Sequence, residues 1–298
     1  VKILITGASG LLGKSLIETA SKDCELSATY NKNWQNHTED VIWYHLNVKN
    51  RSDVFDVFDL VKPNAVIHCA SIGSVDYTED HYQSVRDINV GGLNHVVDAA
   101  NGYKSKVVYI STNAVFSGKQ PPYNENSPLE PVNAYGTIKR EAERLVRDTA
   151  EKWLIIRPFM LYGWPYPGGR TNWAADIVNR LGNESIDLVD DITWMPTLGQ
   201  DCADVIWKLL SQEIDKEVFN VASPERATLY QFGLKVCDVF GLEKNLLRPV
   251  ESKFFSVGSA VKAKRPKDTT YDLMKLAEHG FMLSDIKTGL EKMKEAQK

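Results

Sequence analysis

The stretch from Lys2 to Gly13, KILITGASGLLG, constrains this chain more than any other. An apolar run of strand length meets three glycines, Gly7, Gly10 and Gly13, directly before an amphipathic run over residues 11 to 21. In that position each glycine has a physical task. The first makes the tight turn, the second lets backbone approach a pyrophosphate, and the third lets the helix pack close to the sheet. The helix N-terminus adds amide donors and a favourable dipole. Gly7, Ser9, Gly10, Leu11, Leu12 and Gly13 are therefore expected to cradle a dinucleotide.

Strand-like and helical runs alternate through the first half: LSATY, VIWYH, a helix near 53 to 61, AVIHCA, a long helix to about Asn101, KVVYIS, a helix from about Asn133, and WLIIRP. Such alternation builds a parallel sheet with helices on both faces. Strands that are apolar throughout are those of a sheet covered on both sides. The expected fold class is α/β, a Rossmann-like doubly wound parallel sheet with a smaller C-terminal substrate-binding domain. From Pro158 onward Gly, Pro and aromatic residues crowd PFMLYGWPYPGGRTNW, and the alternation becomes irregular. Residues 1–157 are assigned to the dinucleotide-binding domain, with 191–224 returning to it. Residues 158–190 and 225–298 are assigned to the second domain, ending in a solvated tail, LEKMKEAQK.

Composition narrows the function classes. A formal charge of −4 with interspersed signs provides no basic stripe for nucleic acid. The apolar runs fall far short of a membrane-spanning length. No secretory segment precedes the first strand, so a cytoplasmic protein is expected. Cys24, Cys69, Cys202 and Cys237 are widely separated, with no CxxC or Cys/His spacing that would bind a metal, so no metal is expected.

The choice of dinucleotide falls to the end of the second strand, where a site for NAD offers a carboxylate to the ribose. TYNKN has none, and Lys32 with Asn31 can receive a 2′-phosphate instead. NADP(H) is expected over NAD(H).

YGTIK then places Tyr135 and Lys139 four residues apart, on one face of a helix. Two fixed positions recur by chance, as Tyr271 and Lys275 in YDLMK show. Context separates them. The strand before Tyr135 ends in Ser111 and Thr112, at the sheet edge where ligands bind. Nothing comparable precedes Tyr271, which is assigned to packing in the second domain. A phenol has a pKa near 10, and an ammonium one turn away stabilises the phenolate and lowers that value. Tyr135 would then give a proton to a ketone oxygen as hydride reaches the carbon, with Thr112 hydrogen-bonded to the same oxygen.

The combination of TGxxGxxG, a Ser/Thr at the end of the fifth strand and YxxxK on the next helix resembles the extended short-chain dehydrogenase/reductase superfamily. Within it the chain is most similar to the dTDP-4-dehydrorhamnose reductases. The likeness runs through 62–76, 88–90, 111–118, 122–143, 155–158, 195–197 and 265–276. It implies Thr112, Tyr135 and Lys139 as catalytic residues, with Lys139 also holding the nicotinamide ribose and Asn89 placed for a proton relay or for helix packing. It implies further that Asn47 and Val48 flank the adenine, Cys69, Ala70 and Ser71 line the cofactor channel, and Pro158 and Phe159 lie near the nicotinamide. Val75, Asn113, Met160, Trp164 and Arg265 would face the substrate.

The substrate positions depart from the family pattern. STNAVF replaces STDYVF, with Asn113 for a carboxylate and Ala114 for an aromatic hydroxyl, and Asn47 replaces an aspartate. Met160 stands at a sugar-facing tryptophan position that Trp164 or Trp173 could serve. Without the acid and base carboxylates after the threonine, dehydration is disfavoured. The resemblance therefore implies NADPH-dependent reduction of a 4-keto-6-deoxy nucleotide sugar for polysaccharide biosynthesis, with a homodimer left open. Two alternatives remain at this point: a 4-epimerase, and an NADP-binding regulatory module resembling the beta subunit of methionine adenosyltransferase.

Overall fold

Seven strands form one parallel sheet in the computed structural model, which describes residues 1–32, 40–182, 184–253 and 262–297. The first six are β1 (Lys2–Thr6), β2 (Glu25–Tyr30), β3 (Ile42–His45), β4 (Ala65–His68), β5 (Lys106–Ile110) and β6 (Trp153–Pro158). Short strands β7 (Leu161–Tyr162), β8 (Ile186–Val189), β9 (Thr193–Trp194) and β10 (Thr197–Leu198) precede β11 (Glu217–Val221), and β12 (Ala227–Thr228) and β13 (Leu247–Val250) follow it. The sheet order is β11-β6-β5-β4-β1-β2-β3. The chain walks outward from β1 to β3 and then returns to lay β4 on the other flank of β1, with Thr6 level with His68. That reversal opens a crevice beyond the C-terminal ends of β1 and β4, where ligands bind in doubly wound sheets.

Both faces are covered, which is why β4 and β6 are buried along their whole lengths. On one face α2 (Arg51–Val61), α5 (Leu93–Gly102) and α6 (Ala134–Thr149) pack Phe58, Val96 and Ile138 against Leu4, Val66 and Val107. On the other, α1 (Leu11–Glu18) and α8 (Gly199–Ser211) pack Leu16 and Ile206 against Ile5, Ile67 and Leu154. Each such side chain contributes roughly 1.5–3 kcal/mol by leaving water.

Two helical expectations change. The second helix begins at Arg51 because the Asn50 side chain accepts from Ser52 N–H at 3.1 Å. The long helix expected to reach Asn101 is broken into α3 (Val75–Asp80), α4 (Tyr82–Arg86), a π-helical turn over Asp87–Gly92, and α5. The cause is tertiary. A β-carbon on Gly92 would come within 2.6 Å of Val48 Cγ2, so this turn presses on the β3 side of the core.

The remaining elements are α7 (Trp173–Arg180), α9 (Leu229–Phe240), α10 (Met274–Glu278) and α11 (Ile286–Glu295). Helices α7, α9 and α11 enclose a separate apolar cluster with Tyr162, Leu188 and Phe232, beside the parallel pair β8 and β13. The C-terminal stretch is therefore not a solvated tail. Ile286, Leu290 and Met293 are buried in that cluster, and a β-carbon on Gly289 would collide with the Tyr162 hydroxyl. Residues 254–261, part of the expected second domain, lie outside the described residues.

Candidate active site

The glycine turn sits at the mouth of the crevice. Gly7 has φ +66°, and a β-carbon there would lie 2.5 Å from Ala70 Cα. Only glycine can join β1 to the end of β4 so closely. Gly13 presses on Ala8 in the same way. Gly10 differs: a β-carbon would meet only Gly7 O, at 3.4 Å, so the missing side chain leaves room outward rather than inward. Gly10 caps α1 without a side-chain hydrogen bond, and the first-turn amides of a helix have no intrahelical acceptor. An open backbone cradle with free donors and a positive helix end fits a pyrophosphate. Ser9, Leu11 and Leu12 complete it, with Leu12 turned into the core.

Asn31 and Lys32 follow β2 and are exposed; the next residues, 33–39, lie outside the described ones. Asn47 Oδ1 accepts from Lys49 N–H at 3.2 Å, shaping the turn into α2. Val48 is buried and its carbonyl accepts from His95, so its side chain belongs to the core. Cys69, Ala70 and Ser71 leave β4 beside Gly7. Burial pushes the Cys69 thiol up to about 12, opposed by Lys139, which makes it inert at neutral pH. Asn89 clamps the loop after β4: its Oδ1 accepts from Ile72 N–H at 2.8 Å and its Nδ2 donates to Ile72 O at 3.0 Å.

Thr112, Tyr135 and Lys139 converge beside this loop. Asn133 caps α6, accepting from Gly136 N–H at 2.8 Å, and so fixes where Tyr135 enters the helix. A β-carbon on Gly136 would run into Ala114 and Pro131, so the helix start lies tight against the turn after β5. That contact sets the start of α6 against the turn that Thr112 caps, where Thr112 Oγ1 accepts from Ala114 N–H at 3.2 Å. The phenol is pushed up to about 12 by burial, opposed by the positive charge of Arg170 and by Thr112. The residue keeps part of its surface accessible, as a proton donor in a cleft requires.

The Lys139 ammonium is engaged by the sheet. It donates to Ile110 O at 2.6 Å and stands 4.3 Å from the Tyr109 ring centroid. Burial lowers its pKa to about 7, with Glu143 and Cys69 opposing. Beneath it, Arg157 binds Glu143 through two hydrogen bonds of 2.8 Å, and Ser111 donates to the same carboxylate at 2.6 Å. Arg157 and Glu143 are fully buried. The sequence signal was a single arginine inside the apolar strand WLIIRP, a residue type that is buried only when paired.

The substrate candidates scatter more widely. Val75 begins α3, after the loop that leaves β4. Asn113 Nδ2 is engaged by Thr269 Oγ1 at 2.8 Å. Met160 has φ +23°, a strained conformation for a side-chain-bearing residue, and touches two apolar clusters. Pro158 and Phe159 are buried, and Phe159 packs edge-on to Tyr271 at 5.3 Å, so only backbone there can face a ligand. Trp164 is not brought to the cleft: its indole N–H donates to Met293 O at 2.7 Å and its ring meets Phe240. Arg265 is held by Asp76 at 2.5 and 3.0 Å. Tyr271 lies in the core outside any helix, while Lys275 on α10 binds Glu217, so the second YxxxK match is not a helical pair. Sequence reasoning missed Arg170. Among the described residues no group of His, Cys, Asp and Glu could hold a metal, and no helix is long and apolar enough to cross a membrane.

Comparison with known proteins places this geometry. The family model described as RmlD substrate binding domain matches residues 1–298. The chain is 27% identical to dTDP-4-dehydrorhamnose reductase of Aggregatibacter actinomycetemcomitans, covering 98% of both chains. It is 26% identical to methionine adenosyltransferase 2 subunit beta of Danio rerio, covering 92% of this chain and 84% of that one. The crystal structure of dTDP-4-dehydrorhamnose reductase from Bacillus anthracis in complex with NADP superimposes with a TM-score of 0.86 at 28% identity, covering 99% of each. The chain thus belongs to the RmlD substrate binding domain family, within the extended short-chain dehydrogenase/reductase type of NAD(P)-dependent oxidoreductases.

Proposed function

We propose that this protein reduces the ketone of a 4-keto-6-deoxy nucleotide sugar with NADPH, with Tyr135 as the proton donor. The observation that carries the reading is the start of α6, with Tyr135, packed through Gly136 against the turn that Thr112 caps, beside an open glycine cradle. A reduced nicotinamide, when bound, supplies hydride to a carbonyl carbon. The chain's residues do the rest. Gly7, Gly10 and Gly13 with the α1 amides hold the pyrophosphate, and Asn31 and Lys32, with no carboxylate beside them, suit a 2′-phosphate. Thr112 orients the ketone oxygen, and Tyr135 delivers a proton to it as the charge develops. Lys139, fixed on Ile110 O, holds the ribose side of the site.

In this reading residues 1–157 and 191–224 form the cofactor domain, and 158–190 with 225–298 form the substrate domain; Asn113, Ala114 and Met160 are where the residues depart from the family pattern. The four cysteines are unpaired, which suits a reducing cytoplasm. NADPH consumption with a panel of dTDP-, GDP- and UDP-linked 4-keto sugars tests the reading, with Tyr135→Phe as control. Oxidation lost in that variant supports it. The similarity to methionine adenosyltransferase beta subunits favours one alternative, a regulatory NADP-binding module. Tight NADP binding with no oxidation by any sugar would establish that alternative instead.

A further inference from the structure

A strap from Lys262 to Thr270 runs between α3 and the turns that follow β5. Its far end is anchored in the core. Asn113 Nδ2 donates to Thr269 Oγ1 at 2.8 Å, Thr270 is fully buried, and Gly118, at φ +78°, lies so close that a β-carbon there would collide with Pro266. Its near end is fastened to α3. Asp76 Oδ1 accepts from the backbone N–H groups of Lys262 and Ala263 at 2.9 and 3.0 Å, and both carboxylate oxygens take the Arg265 guanidinium, at 3.0 and 2.5 Å. Burial opposes ionisation of Asp76, but Arg265 and these N–H groups outweigh it and hold the carboxyl below its ordinary range. The Lys262–Asp80 pair beside it is about half exposed at both ends and contributes little.

Between these fastenings the strap touches the helix that carries Tyr135. Lys264 O accepts from Asn133 Nδ2 at 3.0 Å, while Asn133 Oδ1 accepts from Gly136 N–H at 2.8 Å. One amide group is therefore held at both ends. Turned over, it would set oxygen against the Lys264 carbonyl and nitrogen against the Gly136 N–H, so the strap selects the orientation that caps α6. Glu79, one turn along α3 from Asp76, accepts from Ala134 N–H at 2.9 Å. Residues 76, 79 and 80 share a face of α3, and this short helix fastens both the strap and the first turn of α6. Apart from Arg265 and Lys262, the strap makes these links through backbone atoms, so its other side chains can change without breaking them.

We propose that the 262–265 strap is a clasp that sets the start of α6, and that Asp76, acting through Lys264 O and Asn133, is a positioning residue for the Tyr135 phenol. This rests on the reduction proposed above, in which Tyr135 must meet a ketone oxygen at hydrogen-bonding distance. With the clasp seated, the first turn of α6 is held by Asn133, by Glu79 and by the turn after β5 that Gly136 packs against. With it released, the Asn133 amide is free to rotate and Tyr135 loses its fixed entry into the helix.

Amide hydrogen exchange of the full-length chain tests the clasp without turnover. Asp76 lies on a short helix with 27% of its side chain exposed, so Asp76→Ala should keep the fold. Exchange at Gly136 should quicken roughly fivefold, as for a lost helix cap, while α6 beyond Arg140 and β5 keep wild-type rates. Asp76→Asn retains an oxygen for the two backbone N–H groups and should restore most of the protection. Asn133→Asp keeps the cap oxygen but has no donor for Lys264 O, so adding Asp76→Ala to it should change Gly136 no further. With a turned-over sugar, Asp76→Ala should lower kcat roughly tenfold, within the range that a misplaced reacting group costs, and leave NADP affinity unchanged. Unmoved exchange at Gly136, equal loss throughout α6 and β5, or additive effects of Asp76→Ala and Asn133→Asp overturn the proposal. Should wild-type protein reduce no sugar, the reductase reading fails, while the exchange pattern still decides whether the clasp holds α6.

Discussion

The sheet region and the region built from 158–190 and 225–297 hold their functional side chains by different means. Thr112, Tyr135 and Lys139 sit where a strand end meets a helix start, and the buried Arg157–Glu143 pair ties β6 to α6 directly below them. Met160, Arg170 and Arg265 instead come from loops, held by side-chain ties such as Asn172 to Gly163 and Arg265 to Asp76. Groups that must keep a fixed geometry for chemistry stand on rigid elements, and groups that choose the ligand stand on replaceable connections. In the proposed reduction, substrate preference can then diverge without disturbing Tyr135.

The largest effect should come from the tie below Thr112, Tyr135 and Lys139. Glu143→Ala leaves Arg157 charged and unpaired in the core, a loss of about 3–5 kcal/mol, read from urea unfolding. Activity should fall with it, because Ser111 also loses its acceptor, next to Thr112. A loss below about 1 kcal/mol would show that water reaches this pair and would remove the contrast between the two regions.

Acid should separate the regions next. His68 is buried on β4, its Nδ1 2.8 Å from Thr6 Oγ1 and its Nε2 without a partner. Burial, and secondarily Lys139, lowers its pKa from 6.5 to about 3. Between those values the unfolded chain binds a proton that the folded one refuses, so stability rises with pH and is lost as pH falls from about 6.5 toward 3. Glu143 acts in the same direction at lower pH. Burial opposes its ionisation, but Arg157 and Ser111 outweigh burial and hold the carboxyl below its ordinary range. Lowering pH from 7 to 4 should cost about 3 kcal/mol from His68 alone. Hydrogen exchange should show β4 and its neighbours loosening before α9 and α11; the reverse order would mean that neither group controls acid unfolding.

Gly289→Ala probes the other region. The added methyl meets the Tyr162 hydroxyl, and overpacking of this kind costs about 1–3 kcal/mol. NADP affinity should hold while thermal stability drops. This contact also marks a limit of sequence reading. Ile286, Leu290 and Met293 follow a helical period, yet the last nine residues taken alone look like a polar tail. The apolar face appears only when the window reaches back to residue 286. The glycine turn and the parallel strands were legible because each rests on local turn chemistry or local period. The π-helical turn at 87–92 was not, since Val48 against Gly92 and Asn89 on Ile72 are contacts between distant segments. Nor was the direction of the Lys139 ammonium: helical spacing gives a shared face with Tyr135, but Ile110 O is supplied by the sheet.

The smallest effect should be the most selective. Asn172→Ala removes an N-cap and both bonds to Gly163, for about 1 kcal/mol of stability. Because Tyr166 of the same loop also leans on Trp43, the loop should stay folded but be held less firmly at Gly163. A fall in kcat with unchanged NADP affinity would mean that the tie serves the substrate side of the proposed site. If NADP affinity falls by the same factor as kcat, the loop serves the cofactor, and the division between a sheet that performs chemistry and loops that tune it must be redrawn.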